Sequence, residues 1–244
     1  ILHFINDVLE TKYLYLFINL FTISLPFLLS FDKKVHFYKR WHFLFPSIMI
    51  VAAIFIIWDI IFTAYGIWGF NSRYLVGFDI FNLPIEEWLF FITVPYASVF
   101  IYDCIKYYFP NWKTSNTGNI IAVFLGIILA IFALLNLGKH YTYITFITLA
   151  FILFLLSISK ADYLGRFFAS YIIVLVPFLL VNGILTGSFT SEPVVWYNDN
   201  FNLDLRILTI PVEDVFYGML LILGNVAIYE YLQKRSREKA ASHY

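Results

Sequence analysis

The sequence has little charge and almost no cysteine. Charged residues make up 13% and hydrophobic residues 61% of its 244 residues, whereas soluble domains carry about 25% charged residues. This apolar excess is too large for one soluble core, and it falls in long blocks, which is typical of membrane helices. The single cysteine, Cys104, excludes a disulfide framework and a cysteine-based metal site. A net charge of zero gives no indication of a nucleic-acid partner.

Several motifs that mark enzymes and receptors are also missing from the sequence. No G-x-G-x-x-G follows a strand pattern, so nothing indicates a flavin or nicotinamide cofactor. P-loop, H-E-x-x-H and G-x-S-x-G motifs are absent, and no two histidines stand at metal-ligand spacing within an apolar segment. The last apolar segment contains no lysine, which excludes a retinal Schiff base there. We therefore expect a membrane protein without a cofactor or a bound metal.

Seven apolar segments are long enough to cross a membrane. Each has about 18–23 residues, which suits a hydrocarbon core of about 30 Å. The first is interpreted as a retained anchor, because its apolar run is longer than the core of a signal peptide. The sequence thus predicts an all-α integral membrane protein with seven transmembrane helices. The predicted spans are 13–30, 43–65, 83–105, 119–136, 141–158, 168–186 and 210–232.

Basic residues fall mostly on one side of these segments. Twelve of the sixteen Lys and Arg residues lie in the loops after spans one, three and five and in the C-terminal tail, and the other four lie on the opposite side. By the positive-inside rule, the side with twelve faces the cytoplasm. The sequence therefore predicts a multi-pass protein of the cytoplasmic membrane, with its N-terminus outside and its C-terminus in the cytoplasm.

An internal repeat relates the first three spans to the last three. Residues 84–87 (PIEE) match residues 211–214 (PVED), and residues 102–103 (YD) match residues 229–230 (YE), both at an offset of 127. Span four joins the repeats and makes them parallel, so an axis along the membrane normal should relate them. This is a 3+1+3 tandem parallel repeat. The predicted units are 1–110 for the first repeat, 111–139 for the connector helix and 140–244 for the second repeat.

Five carboxyl groups lie near one depth, towards the predicted outer surface. Glu86 and Glu87 begin span three, Glu213 and Asp214 begin span seven, and Asp59 lies towards the outer end of span two. One acidic helix start is commonly structural, because proline suits the first turn and acids interact favourably with the helix dipole. The paired acids, their repetition and the added Asp59 favour a chemical role instead. Acids clustered in an apolar site repel one another and lose hydration, so one of them keeps its proton at neutral pH.

Aromatic and amide side chains accompany these acids. An acid that protonates an alkene creates a cation, and aromatic faces stabilise cations. Membrane-interface belts and core packing nevertheless account for most aromatic residues in a chain that contains 21% of them. Asn182 stands where the first half has Asp59, and Asp214 stands where it has Glu87, so we predict one asymmetric pocket. The residues predicted to line it beside the acids are Trp58, Trp88, Phe90, Phe91, Asn182, Phe216 and Tyr217.

Four segments of the sequence match a known family. They are residues 30–34 (SFDKK), 55–69 (FIIWDIIFTAYGIWG), 82–91 (NLPIEEWLFF) and 210–219 (IPVEDVFYGM). Together they resemble the membrane lycopene β-cyclases, which include a heterodimeric bacterial type and fused archaeal and fungal domains. The resemblance covers nearly the whole chain. The two halves can be separate subunits in that family, whereas here one chain carries both.

The resemblance implies cyclisation of the linear ψ-ends of lycopene to β-ionone rings, which gives γ-carotene or β-carotene. An acid adds a proton to the terminal alkene, the C5=C6 bond attacks the cation at C1, and a base removes the proton from C6. By motif position, the resemblance implies catalytic roles for Glu86, Glu87, Glu213 and Asp214, with Asp59 as a supporting acid. It implies lycopene as a lipophilic substrate and contact with membrane lipid, and it leaves open a homo-oligomer or association with other carotenoid enzymes.

Two other functions stay open at the level of sequence. A 3+1+3 plan of parallel repeats also describes sugar transporters of the SWEET type. A transporter site is expected near the membrane midplane, however, and the acids here lie towards one surface. A carotenoid hydratase would form the same cation and trap it with water. Pigments extracted from lycopene-producing cells would separate the three functions by a ring, a hydroxyl group or an unchanged carotenoid.

Overall fold

The computed structural model describes residues 9–110 and 115–242, and most of these residues are helical. Among them are seven helices: Leu14–Leu29 (α1), Trp41–Ala64 (α2), Ile85–Tyr108 (α3), Ser115–Leu135 (α4), His140–Ile158 (α5), Leu164–Leu185 (α6) and Val212–Ala241 (α7). Six short strands lie between them: Trp68–Phe70 (β1), Asp79–Ile80 (β2), Leu83–Pro84 (β3), Val195–Tyr197 (β4), Arg206–Ile207 (β5) and Ile210–Pro211 (β6). Short 3₁₀ turns occupy Phe37–Arg40 and Ser72–Tyr74.

The helices confirm the prediction of an all-α, multi-pass membrane protein. Within the described residues, six helices are long and apolar enough to span a membrane, and α1 is apolar but has only 16 residues. The predicted bounds differ by four residues or more at three places. Helix α4 begins at Ser115 rather than at 119, α6 begins at Leu164 rather than at 168, and α7 continues to Ala241 rather than ending at 232. The extension of α7 is rich in Lys, Glu, Arg and Ala, which are good helix formers, so the helix continues beyond its apolar part.

The strands and the basic loops lie at opposite ends of the helices. The loops 65–84 and 186–211 carry all six strands, and we call their end of the bundle the strand end. The loops 30–40 and 159–163 lie at the other end, which we call the basic end. The strand end corresponds to the predicted outer side. Which side of the membrane each end faces stays a prediction from the distribution of Lys and Arg.

A pseudo-two-fold axis relates the two halves. Strands β1 and β4 pair antiparallel, with Gly69 opposite Trp196, and these two residues are 127 apart. The same offset relates the hairpin β2–β3 to the hairpin β5–β6. It also relates Gly77 to Asp204, which both have left-handed backbone conformations. The offset found in the sequence is therefore a structural repeat, and its axis passes between Gly69 and Trp196.

The central helices α3 and α7 each begin directly after the proline of their motif. Helix α1 packs on α3, and α5 packs on α7. Helix α2 packs closely on both α3 and α7, whereas α6 packs closely on α3 and only sparsely on α7. The connector α4 packs on α5 and α6. The contact between α6 and α7 is thus much looser than its counterpart between α2 and α3.

Buried phenols and acids join the two halves at the basic end. Tyr102 Oη donates a hydrogen bond of 2.6 Å to Glu230 Oε1 of the other half. Tyr229 Oη donates one of 3.0 Å to Asp103 Oδ1 in the reverse direction. Arg40 forms an ion pair with Asp103. Because Tyr102–Asp103 and Tyr229–Glu230 are the second matching motif of the repeat, that motif has a structural role as a brace between the halves.

Candidate active site

A cavity of about 50 Å³ lies between the two halves, close to the strand end. Its lining includes three carboxyl groups and eight aromatic rings, and none of its lining residues is Lys, Arg or His. Among the described residues, no group of three or more His, Cys, Asp or Glu side chains is placed to hold a metal ion. The lining residues are Tyr15, Asp59, Trp68, Phe70, Glu87, Phe90, Tyr141, Phe178, Asn182, Leu185, Thr186, Val195, Tyr197, Asp214, Tyr217, Gly218 and Leu221.

Two carboxyl groups lie side by side on the first-half side of this cavity. Asp59 from α2 and Glu87 from α3 are in direct contact, with exposed fractions of 1% and 8%. Tyr15 Oη donates to Glu87 Oε2 over 2.5 Å, and the Trp68 indole donates to Asp59 Oδ1. Asp59 Oδ2 has no hydrogen-bond donor among the described residues. Adjacent buried carboxyls repel each other when both are ionised, so this arrangement is typical of a pair that shares one proton.

A third carboxyl group, that of Asp214, lies on the second-half side and accepts three hydrogen bonds. Tyr141 Oη donates to Asp214 Oδ1 over 2.6 Å, and Tyr197 Oη and Asn182 Nδ2 donate to Oδ2 over 3.0 and 3.2 Å. Burial and the Asp214 carboxyl hold the pKa of Tyr197, on strand β4, well above its usual range. The Tyr197 hydroxyl therefore stays a donor. With both oxygens accepting hydrogen bonds, Asp214 has the contacts of a stabilised anion.

The repeat places one phenol–carboxyl contact on each side of the axis. Tyr15 of α1 bonds to Glu87 of α3, and Tyr141 of α5 bonds to Asp214 of α7. The tyrosines are 126 apart and the acids 127 apart. The halves differ at the neighbouring position, where Asn182 replaces the aspartate of the first half. The acids of both halves thus meet in one cavity, and its two sides are chemically unequal.

The first acid of each motif lies outside the cavity and binds the loop that precedes its helix. Glu86 Oε1 accepts a hydrogen bond of 2.7 Å from the Val76 amide. Glu213 Oε1 accepts one of 2.8 Å from the Leu203 amide and one of 2.5 Å from Thr142 Oγ1. In both motifs the bonded amide stands ten residues before the acid. Glu86 and Glu213 therefore hold in place the loops that precede the central helices α3 and α7.

A family model described as lycopene cyclase matches residues 12–105 of the chain and again residues 138–232. The two regions cover more than three-quarters of the sequence. The chain belongs to the lycopene cyclase family. Each matched region spans one three-helix half, which confirms that both halves are on one chain. No curated protein and no solved structure matches the chain.

Membership of this family makes the protein an enzyme of carotenoid biosynthesis with a lipophilic carotenoid substrate. The cavity of the cyclase is small for such a substrate. Its volume of about 50 Å³ is one third of the roughly 150 Å³ of an apolar cavity that binds benzene. Side chains that line the cavity must therefore move before the end of a carotenoid can enter.

Half of the residues predicted from the sequence line the cavity of the cyclase. The two predicted aromatic residues that line it are Phe90 and Tyr217. Trp58 packs behind Tyr217, with ring centroids 5.5 Å apart, and Phe91 packs behind Phe90 at 5.8 Å. The catalytic and binding roles of all twelve residues stay predictions. Those that line the cavity are Asp59, Glu87, Phe90, Asn182, Asp214 and Tyr217, and those that do not are Trp58, Glu86, Trp88, Phe91, Glu213 and Phe216.

Five lining residues with clear contacts were not predicted from the sequence. Tyr15 and Tyr141 lie one residue off the 127-residue register of the repeat, so an alignment of the two halves does not pair them, and only their contacts with Glu87 and Asp214 show that they correspond. Trp68 lies within the segment that resembles the family, but nothing in its local pattern marks it as a partner of an acid. Tyr197 has no tyrosine at the matching position of the first half, and Phe178 has no polar group. No sequence signal therefore indicates either residue.

Proposed function

We propose that this enzyme is a lycopene β-cyclase that forms β-ionone rings from ψ-ends by adding one proton and removing another. The observation that supports this most directly is a buried cavity with three carboxyl groups, eight aromatic rings and no basic side chain. Proton addition to an alkene needs a strong acid that is shielded from water. The resulting cation needs nearby anions and aromatic faces to stabilise it. The reaction is an isomerisation, so it needs no electron acceptor.

In this proposal the contacting carboxyls of Asp59 and Glu87 hold one proton between them and supply it to C2 of the terminal C1=C2 bond. The π electrons of that bond form the new C–H bond, which leaves a tertiary cation at C1. The C5=C6 electrons then attack C1, so that the ring closes and the positive charge moves to C5. Asp59 Oδ2 has no donor among the described residues, so it is free to hold or release a proton.

The proposed base is the same carboxyl pair. After the first step Asp59 and Glu87 are short of one proton, and loss of the C6 proton to them forms the C5=C6 bond of the product and restores the pair. C2 and C6 are both bonded to C1 in the ring, so one pair can serve both carbons. Asp214 acts as a fixed anion that stabilises the cation, together with the faces of Tyr217 and Phe90.

Carotenoids extracted from cells that accumulate lycopene test this proposal. Asp59→Asn and Glu87→Gln are expected to lower ring formation by about 10²–10⁴, the usual contribution of acid–base catalysis. Asp214→Asn is expected to cost about 10²–10³, as for the loss of one electrostatic contact to a transition state. Asp204→Asn is the matched control, because this exposed residue lies outside the cavity and asparagine tolerates its left-handed backbone.

The pigments also decide between the proposed function and its rivals. Cyclic carotenoid in the control and its loss in the three cavity variants are the expected results. A hydroxylated product would make the protein a hydratase, and unchanged lycopene with wild-type protein would overturn the cyclase proposal. Cyclic product from all three cavity variants would mean that the acids are wrongly assigned. The outward strand end, the unit boundaries and any association with other copies or carotenoid enzymes stay predictions.

A further inference from the structure

The two halves of the repeat carry side chains of different size at matching positions beside the cavity. In the first half, Trp58 and Phe62 of α2 pack on the rings of Tyr217 and Tyr141. At the α6 positions 123 residues later stand Val181 and Leu185. Two aromatic rings are thus replaced by two smaller aliphatic side chains. The first-half side is closed by rings packed edge to face, and the cavity extends towards α6 instead.

The central helices show the same difference one turn further from the acids. In the first half, Phe55 of α2 packs on Phe91 of α3, with ring centroids 6.0 Å apart. The corresponding residues of the second half are Phe178 of α6 and Gly218 of α7. A Cβ atom at Gly218 would lie 2.7 Å from Cζ and 2.9 Å from Cε2 of Phe178. The Phe178 ring therefore lies directly on the backbone of α7, in the space that Phe91 fills in the other half.

Two aromatic side chains of the cavity, Phe178 and Phe70, have no hydrogen bond and no ring partner among the described residues, and Phe70 belongs to strand β1, which is paired with β4. The tyrosines Tyr15, Tyr141 and Tyr197 and the indole of Trp68 each donate a hydrogen bond to a carboxyl. Phe90 and Tyr217 pack against other rings. Phe178 has no hydrogen-bonding group, and none of the ring pairs found among the described residues includes it. Its movement would break no polar contact.

The helix that carries Phe178 is also weakened at that point. Pro177 precedes it inside α6 and removes one backbone hydrogen bond of the helix. The corresponding residue of α2 is Ile54, which keeps its amide hydrogen. The part of α6 after Pro177 contributes Phe178, Asn182 and Leu185 to the cavity and packs only sparsely on α7. One wall of the cavity therefore follows a proline and is packed only loosely against α7.

We propose that Phe178 and Gly218 form a gate that sets the room for the end group of the carotenoid. The Phe178 ring moves off Gly218, and the space it leaves joins the small cavity to hold the ψ-end beside the carboxyls. Gly218 is a specificity-determining residue because any side chain there would push the ring into the cavity. The identity of the end group rests on the proposed function. The first half has no such gate, since Phe91 occupies the matching place.

Three variants test the gate with two readouts. Gly218→Ala is expected to lower ring formation about tenfold, since its methyl group overpacks the Phe178 contact. The double variant Gly218→Ala/Phe178→Leu is expected to recover, because leucine lacks Cζ, Cε1 and Cε2, the atoms that the new methyl group would meet. Gly224→Ala is the matched control on α7, where a Cβ would meet Val51 at an ordinary 3.5 Å. Immunoblots of the membranes correct each value for the amount of protein.

The second readout is the lycopene that copurifies with each variant in a Glu87→Gln background, measured by absorbance. It should fall with Gly218→Ala and return in the double variant. If the wild type binds lycopene without cyclising it, and binding follows this pattern, the proposed function is wrong and the gate stands. Normal conversion and binding in Gly218→Ala, or no recovery in the double variant, would overturn the gate alone. A wild type that neither binds nor converts lycopene would overturn both.

Discussion

The two adjacent glutamates at the start of α3 are expected to respond in opposite ways to the same substitution. Glu86 lies outside the cavity and accepts the Val76 amide, while its other oxygen is buried without a donor among the described residues. Glu87 lies in the cavity between Tyr15 and Asp59. Glutamine preserves the shape of both side chains and removes only the acid. The comparison therefore separates an anchoring role from a chemical one.

The size of each effect follows from these contacts. In Glu86→Gln the Val76 amide bonds to an amide oxygen instead of a carboxyl oxygen, and the first turn of α3 loses an acid, which together cost about 1 kcal/mol of folding stability. In Glu87→Gln the amide oxygen can accept from Tyr15 while its NH₂ donates to Asp59, so stability should change little. Ring formation should instead fall by about 10²–10⁴, or about 3–5 kcal/mol of activation free energy.

Both effects are measured on the same membranes. Carotenoids from lycopene-accumulating cells give ring formation per amount of immunodetected protein, and heating in detergent gives stability. We expect Glu86→Gln to be less stable but active per folded molecule, and Glu87→Gln to be stable but inactive. Glu213→Gln, the repeat counterpart of Glu86, should behave as Glu86→Gln does. If Glu86→Gln were as inactive per folded molecule as Glu87→Gln, the separation of roles argued from the cavity would be refuted.

Two further substitutions test the contacts between the halves. Gly69→Ala would place a Cβ 2.3 Å from the Trp196 ring, so the ring must leave its contact between the halves. We expect lower thermal stability and less ring formation than in Gly138→Ala, whose Cβ meets nothing within 4 Å. Tyr102→Phe removes the hydrogen bond to Glu230 and should cost about 1.5–3 kcal/mol in stability, with ring formation per folded molecule unchanged; a loss of activity at unchanged stability would contradict a bracing role.

The helices and the repeat could be predicted because both are indicated by sequence patterns that extend over many residues. Apolar length alone marks a membrane helix, since the hydrocarbon core fixes the number of residues needed. The repeat was found because two short motifs share one offset, and the structure carries that offset into the strand pairs as well. The common depth of the five acids followed from the same spans, and the structure brings Asp59, Glu87 and Asp214 of these five to one cavity.

The orientation of neighbouring side chains could not be predicted in this way. Successive residues of a helix point about 100° apart, and the sequence does not say which of Glu86 and Glu87 faces the cavity. The donors Trp68 and Tyr197 come from short strands whose pairing depends on contacts between the halves. Phe178 is one apolar residue among many, and its place becomes clear only when the glycine opposite it is seen.

The position of the cavity explains why the two halves had to diverge. A site on a two-fold axis presents each of its groups twice, but the end of a linear carotenoid has no two-fold symmetry, so equal groups on both sides could not all fit it. The second half differs at two matching positions beside the cavity. Asn182 stands in place of an acid, and Gly218 stands in place of an aromatic ring. One side then holds the paired acids against closed aromatic packing, and the other side offers space. Under the proposed function, a single cavity of this kind takes one ψ-end at a time, so a product with two rings requires two separate binding events.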